Sequence, residues 1–315
     1  MSLSRALSRV VARAAYPTII IVSVTAADAA LSHGASPSLV VSGGFLAVLT
    51  AIAVLERAMP FDEQANPGFR ESRQDAIYLG LAALLQPIAK LGGTLVATWV
   101  TLSFAAVLGA RGWAFGGPWW VKIGLALALA DLAKYWVHRI AHERPAWWRF
   151  HAEHHAPERV YSLNGVRLHP VNLLWNLTLD AAPPLVFGLD ARSIVLVAVL
   201  RGTVAVLQHA NVDLRLAPLN WIFSTPDLHR WHHSTALAEA SSNYGSTLIV
   251  WDVLFGTRRL PDARRSPVAT GLADGAPHPE GIFHQLLWPW CGSKADRCPQ
   301  LRGWKPRSPR RRAPV

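Results

Sequence analysis

Cysteine is nearly absent from this 315-residue chain, which holds only Cys291 and Cys298. Two late thiols exclude a disulfide scaffold and, without a second pair, a zinc ribbon; they suit a reducing compartment. Charge is scarce as well: Asp, Glu, Lys and Arg make up 16% of residues against 51% hydrophobic, and mean hydropathy is +0.21. That balance points to a membrane protein. No Walker loop, GxGxxG or GxSxG occurs, nor an internal repeat of fixed period, so phosphate-cradling and serine-hydrolase chemistry lose their support. HExxH is missing too: "AHERPA" follows His142 with Glu143 and then Pro145, with no second histidine at the needed spacing, which argues against an intramembrane metallopeptidase.

Acidic residues are outnumbered, 20 against 31 Lys and Arg, for a net charge of +11. Much of the surplus is terminal: from Arg258 onward twelve Lys/Arg face four Asp/Glu, ending in "RGWKPRSPRRRAPV". Nothing interleaves this tail with aromatic platforms, so nucleic acid is not the expected partner. Beside a membrane span it reads as a cytoplasmic flank facing anionic lipid, extended or partly disordered from about residue 261.

The apolar runs sketch the spans. Arginines precede an apolar stretch in "MSLSRALSRVVARAAYPTIIIVSVTAADAALS", the layout of a cleaved signal, although an anchored first helix with its basic end inside fits the later segments better. Residues 38–55 can just cross a bilayer. Residues 76–110 carry no charge but Lys90 and predict a hairpin broken around Pro87 to Gly93. A further span is expected over 118–137, and a helical hairpin over 171–208, split by Pro183-Pro184 and "GLDARS". Fourteen tryptophans, some paired as in Trp119-Trp120, suit the bilayer interface or ordinary core packing.

Histidine is what the chain has in excess. Nine of thirteen fall in or near clusters: His138 and His142; His151, His154 and His155; His209; and His229, His232 and His233. On a helix, His138 and His142 at i, i+4 project from one face, as metal ligands do. In "HAEHH" and "HRWHH" the i and i+3 rings share a face and the last sits about 100° further round, so one turn can serve two adjacent metals. One metal takes at most about six ligands, and nine imidazoles exceed that, so two metals are expected. Asp131, Asn211 and Asp227 are candidates to fix ring orientation, with caps and turns as their competing roles; for Asp131 the competing role is a buried pair with Lys134 or Tyr135. His169 in "RLHPVN" is a candidate for ligand or active-site duty. Imidazole suits zinc, iron, copper and nickel alike, but a nitrogen-rich double site beside a bilayer suits oxygen activation next to an unreactive C–H bond better than a structural clip.

The ordered set HxxxH, HxxHH, HxxHH resembles the fatty acid hydroxylase superfamily, also called the sterol desaturase family, of membrane-bound non-haem di-iron enzymes. "DLAKYWVHRIAHE", "RLHP", "QHAN", "PDLHRWHHS" and "NYGSTLIVWDVLFGT" are similar to successive elements of that family, over roughly Asp131 to Thr257. The resemblance implies an all-α, multi-span integral membrane domain with a cytosolic histidine-rich helical cap. It implies His138, His142, His151, His154, His155, His229, His232 and His233, with His209, as ligands of two iron ions. Dioxygen is the implied co-substrate and a membrane lipid the substrate, hydroxylated or desaturated. Electrons would come from a separate ferredoxin- or cytochrome-type donor with its reductase, since no cytochrome b5-like haem pair or flavin fingerprint occurs here. The expected divisions are a membrane-spanning region over 1–117, a catalytic domain over 118–260 and the tail over 261–315, with the histidine site and tail on the cytoplasmic side. A membrane metal-binding or metal-transport protein without oxygenase activity is the alternative. It predicts ligands inside several spans, whereas "HERPAWWRFHAEHH" is too polar to cross. The two HxxHH stretches are therefore expected to converge in space.

Overall fold

The computed structural model describes residues 5–66, 68–108, 118–261, 266–272, 278–279 and 281–291. Among these the protein is helical, without strands. Helices α1 (Arg5–Ser32) and α2 (Pro37–Ala58) come first, and Ser36 caps α2 by accepting from Leu39 N just before Pro37. Both pack on α7 (Ala191–Gln208), burying Tyr16, Ile52 and Leu207 in one core. Among the described residues four helices are long and apolar enough to cross a membrane, over Leu7–Ser32, Pro37–Ala58, Glu71–Ser103 and Ala191–Gln208. Leu39, Leu84 and Trp99 on two of them are 71%, 72% and 70% exposed, which water would penalise and lipid would not.

The hairpin expected over 76–110 is a single helix, α3 (Phe69–Leu108), that continues through Pro87. A membrane helix tolerates proline, and the glycines have another use. A Cβ on Gly92 would stand 2.9 Å from Thr178 Oγ1, and one on Gly93 2.5 Å from Ala181 Cβ. The pair lets α3 lie close against α6 (Pro170–Val186) instead of breaking it.

The span expected over 118–137 is also revised. Helix α4 (Trp119–Glu143) runs one and a half turns beyond residue 137, and its second half carries Asp131, Lys134, Arg139 and Glu143, so it is not among the four apolar helices. Trp119 and Trp120 are exposed at its start, as an interface requires, whereas Trp231 is a core residue. The hairpin expected over 171–208 is present as α6 and α7, although only α7 is long and apolar enough to span. Between them the buried Arg201 guanidinium lies 3.1 Å from Asp131 and 2.5 Å from Asp180, tying α7 to α4 and α6.

Part of the tail departs from the extended form expected of it. Helix α11 (Ile282–Cys291) folds back on the domain, where Leu286 O accepts from His169 Nε2 and Pro289 O from Arg149 Nη1. Its "IFHQLLW" stretch is apolar enough to prefer burial over extension. The arginine-rich end beyond 291 lies outside the described residues.

Candidate metal centre

Proline sets the frame of the site. Arg144 precedes Pro145 and takes an extended backbone (φ −120°, ψ 117°), which ends α4 and lets α5 (Pro145–His155) fold back beside it. Helix α8 (Pro226–His232) likewise starts at a proline, after Thr225. These three helices and the end of α7 bring all nine clustered histidines together.

They form two groups. His138, His142, His151, His155 and His232 make one; His154, His209, His229 and His233 make the other; within each, one ring nitrogen per residue lies within 4.8 Å of the rest. The groups adjoin, with the rings of His155 and His233 stacked at 4.4 Å. The two HxxHH stretches thus converge, but they divide differently from expectation. His151 joins His155, and His229 joins His233, while the middle histidine of each stretch crosses to the other group. Residues at i and i+4 lie about 40° apart around a helix and those at i and i+3 about 60°, so the i, i+4 pair is the closer one.

The donor set fits metal ions. Tyr244 O accepts from His138 Nδ1 at 2.8 Å, and Asn172 Oδ1 from His151 Nδ1 at 2.7 Å. With Nδ1 as donor, Nε2 of each neutral ring holds only a lone pair. Those two Nε2 atoms are nevertheless 2.9 Å apart. A cation between them removes the repulsion, and burial disfavours a proton in that role. Four more ring pairs approach through Nε2 at 3.0 to 3.2 Å. Imidazole nitrogens bound at about 2.1 Å and at right angles on one ion stand about 3 Å apart, matching these approaches. His142 Nε2, His154 Nδ1, His229 Nδ1 and His232 Nε2 are buried without a hydrogen-bond partner among the described residues, a cost that ligation at one nitrogen of each ring offsets in part.

Burial, followed by the neighbouring imidazoles, lowers the pKa of His154, His155, His229 and His233 far below the usual histidine value. Burial brings His151 and His209 down to about 4. In the unfolded chain these rings take up protons near pH 6.5, so below that the unfolded state binds protons the native state refuses. The stability this leaves is full above about pH 6.5 and declines as pH falls toward about 4. At about pH 5 each of these two rings costs roughly 2 kcal/mol of the metal-free protein's stability. Thermal unfolding of metal-free protein in detergent should therefore give a lower Tm at about pH 5 than at about pH 7.5; an equal or higher Tm would contradict the buried neutral state.

Four of the residues expected around the rings do other work. Asp131 accepts from Ser246 Oγ and Leu248 N and pairs with Arg201, rather than with Lys134, Tyr135 or a histidine. Asn211 Nδ2 donates to Asp62 O and Asn66 Oδ1, tying down the segment after α2. Asp227 sits inside the first turn of α8, 3.5 Å from Arg230, while Thr225 holds the cap position. His169 caps α6 by accepting from Val171 N and lies outside both groups. The ring anchors that sequence reasoning missed are Asn172 and the carbonyls of Ala205, Ser242 and Tyr244. Asn172 lay in view in "RLHPVN"; a backbone carbonyl leaves no residue-type signal.

A model described as fatty acid hydroxylase matches residues 123–257. The chain is 32% identical over 248 residues to the ornithine lipid hydroxylase OlsE of Rhizobium tropici, covering 78% of this chain and 74% of that one. It is 29% identical over 219 residues to an alkylglycerol monooxygenase of Xenopus tropicalis, covering 63% of this chain and 45% of the relative. Over 144 residues it is 29% identical to the very-long-chain aldehyde decarbonylase GL1-8 of Oryza sativa subsp. indica, covering 44% of this chain and 53% of the relative. The chain thus spans about three quarters of the first of these and about half of the other two. No solved structure matches.

Proposed function

Since the chain belongs to the fatty acid hydroxylase family, and as an oxidoreductase of that family has lipid hydroxylases and monooxygenases as relatives, we propose that it is a di-iron enzyme inserting oxygen into the hydrocarbon chain of a polar membrane lipid. The observation that carries this reading is the pair of adjoining histidine groups, five rings beside four. Bound iron would supply reductive activation of dioxygen and removal of hydrogen from an unactivated carbon. The chain's own residues do the rest. His138, His142, His151, His155 and His232 would hold one ion, and His154, His209, His229 and His233 the other. Burial keeps the rings of α5 and α8 neutral, so their lone pairs are free to bind metal without first losing a proton. Asn172 and the carbonyls of Ser242 and Tyr244 fix which nitrogen faces inward. Electrons come from a separate ferredoxin- or cytochrome-type donor with its reductase.

The relatives' names support this substrate class, pairing an ornithine lipid hydroxylase with an alkylglycerol monooxygenase. A long acyl or alkyl chain on a polar head is common to both, and lipid-facing helices beside the site bring such a chain within reach. The metal-transport alternative loses support because none of the nine rings lies within the four apolar spans; His209 follows the end of the fourth. We further propose that the site and tail face the cytoplasm, since Arg139, Arg144, Arg149 and Arg159 cluster along the chain around the site. The division into regions 1–117, 118–260 and 261–315 is retained as a functional one, although α3 packs on α6 and so crosses it.

Lipid profiling of cells with and without the intact gene tests the reading. One lipid class should shift by the mass of one oxygen, the mark of hydroxylation; a shift of two hydrogens instead would mean desaturation and would overturn oxygen insertion. An unchanged lipid profile under aerobic growth, with the protein present in the membrane, would contradict it.

A further inference from the structure

The loop over residues 242–248 faces only one of the two histidine groups. Ser242 O accepts from His232 Nδ1 at 2.7 Å and Tyr244 O from His138 Nδ1 at 2.8 Å, and both rings belong to the group of five. Between the two carbonyls Asn243 holds a left-handed backbone, φ 55°, locked by its side chain on Leu228 O and Arg259 O. In the group of four, His209 Nδ1 instead leans on Ala205 O of its own helix, and Nδ1 of His154 and His229 meets no partner.

The loop is held from behind by one carboxylate. Asp252, fully buried on α10 (Val250–Leu254), accepts from Tyr244 N at Oδ1 (2.8 Å) and from Gly245 N at Oδ2 (2.7 Å). Thr257 Oγ1 donates to Oδ1 at 2.7 Å, and Thr257 O accepts from Asn243 N. A Cβ at Gly245 would stand 2.3 Å from Leu248 O and 3.0 Å from Asp252 Oδ2, so no side chain fits between loop and carboxylate. The Gly245 N–H and the Tyr244 C=O belong to a single peptide group. A charge accepting from its N–H strengthens its C=O as an acceptor.

We propose that Asp252 is a positioning residue for the five-histidine group, acting on His138 through the Tyr244–Gly245 peptide and on His232 through the same loop. The arrangement does by way of one peptide what a carboxylate bonded directly to a ligating histidine does. The proposal rests on the di-iron reading above.

The test reads metal affinity site by site in full-length protein loaded with ferrous iron in detergent. His154→Ala cuts the group of four to three imidazoles and leaves the five-histidine group to be measured alone; His142→Ala with His155→Ala cuts the group of five to three and leaves the group of four. Asp252→Asn keeps the shape but turns an amide N–H₂ toward a backbone N–H. In the His154→Ala background it should weaken iron binding by about 10- to 100-fold; in the His142→Ala/His155→Ala background it should change nothing. Equal weakening in both backgrounds, or none in either, overturns the proposal. If Asp252→Asn does not fold, Thr257→Val removes one bond to the same carboxylate and should weaken the same single site by a smaller factor, with no effect at either site again overturning the proposal. Wild-type protein that holds fewer than two irons overturns the di-iron reading itself, a distinct result.

Discussion

Replacing His154 by alanine is expected to abolish lipid oxidation, with a fall of at least about 1,000-fold, because loss of an orienting partner alone typically costs 10- to 100-fold and this change removes a ligand itself. His154 Nε2 lies 3.2 Å from His209 Nε2, and its ring is 4.8 Å from that of His233, within the four-histidine group. Three imidazoles remain after the substitution. The metal-free protein should lose less than the cavity alone implies: its crowded rings lose one neighbour, which offsets part of the roughly 3 to 5 kcal/mol cost of the space left by a buried ring. Iron should consequently stabilise wild type more than the variant, a difference in Tm shift that calorimetry reads directly. An active His154→Ala protein, with the same lipid turnover as wild type, would refute a catalytic role for this group.

Replacing Arg201 by leucine should produce the largest loss of stability, about 3 to 5 kcal/mol, the usual result of removing one partner from a buried ion pair. The guanidinium is 6% exposed and answers both Asp131 and Asp180. Asp180 keeps Lys134 at 3.2 Å, but Asp131, fully buried, is left with two uncharged donors, Ser246 Oγ and Leu248 N. Asp131→Asn added to Arg201→Leu should restore much of the lost stability, since it removes the stranded charge. Thermal unfolding in detergent of the single and double variants checks both statements; a double variant no more stable than the single one would place the cost in packing, not in charge.

The histidine site was legible from the sequence to the extent that local spacing governs it. His138 and His142, and each HxxHH stretch, lie within a few turns of one helix, so 3.6-residue periodicity predicts which rings can meet. It does not decide between i+3 and i+4 once two helices compete for the same ring, and there the middle histidines His154 and His232 crossed over. Pro87 with Gly92 and Gly93 read as a break because those residue types end helices in water; in an apolar helix lying on α6 they permit close contact instead. Asp131 stands two turns from His138 on the same helix, and that spacing suggested a direct bond. The space between is taken by the 242–248 loop, more than a hundred residues away along the chain, which no local pattern reveals.

The iron content of the purified wild-type chain, expressed with iron and measured per polypeptide, bears most directly on the central claim. Two adjoining groups of five and four imidazoles should hold two irons per chain. One iron or none, in protein shown to be folded and supplied with ferrous iron, would contradict the di-iron account.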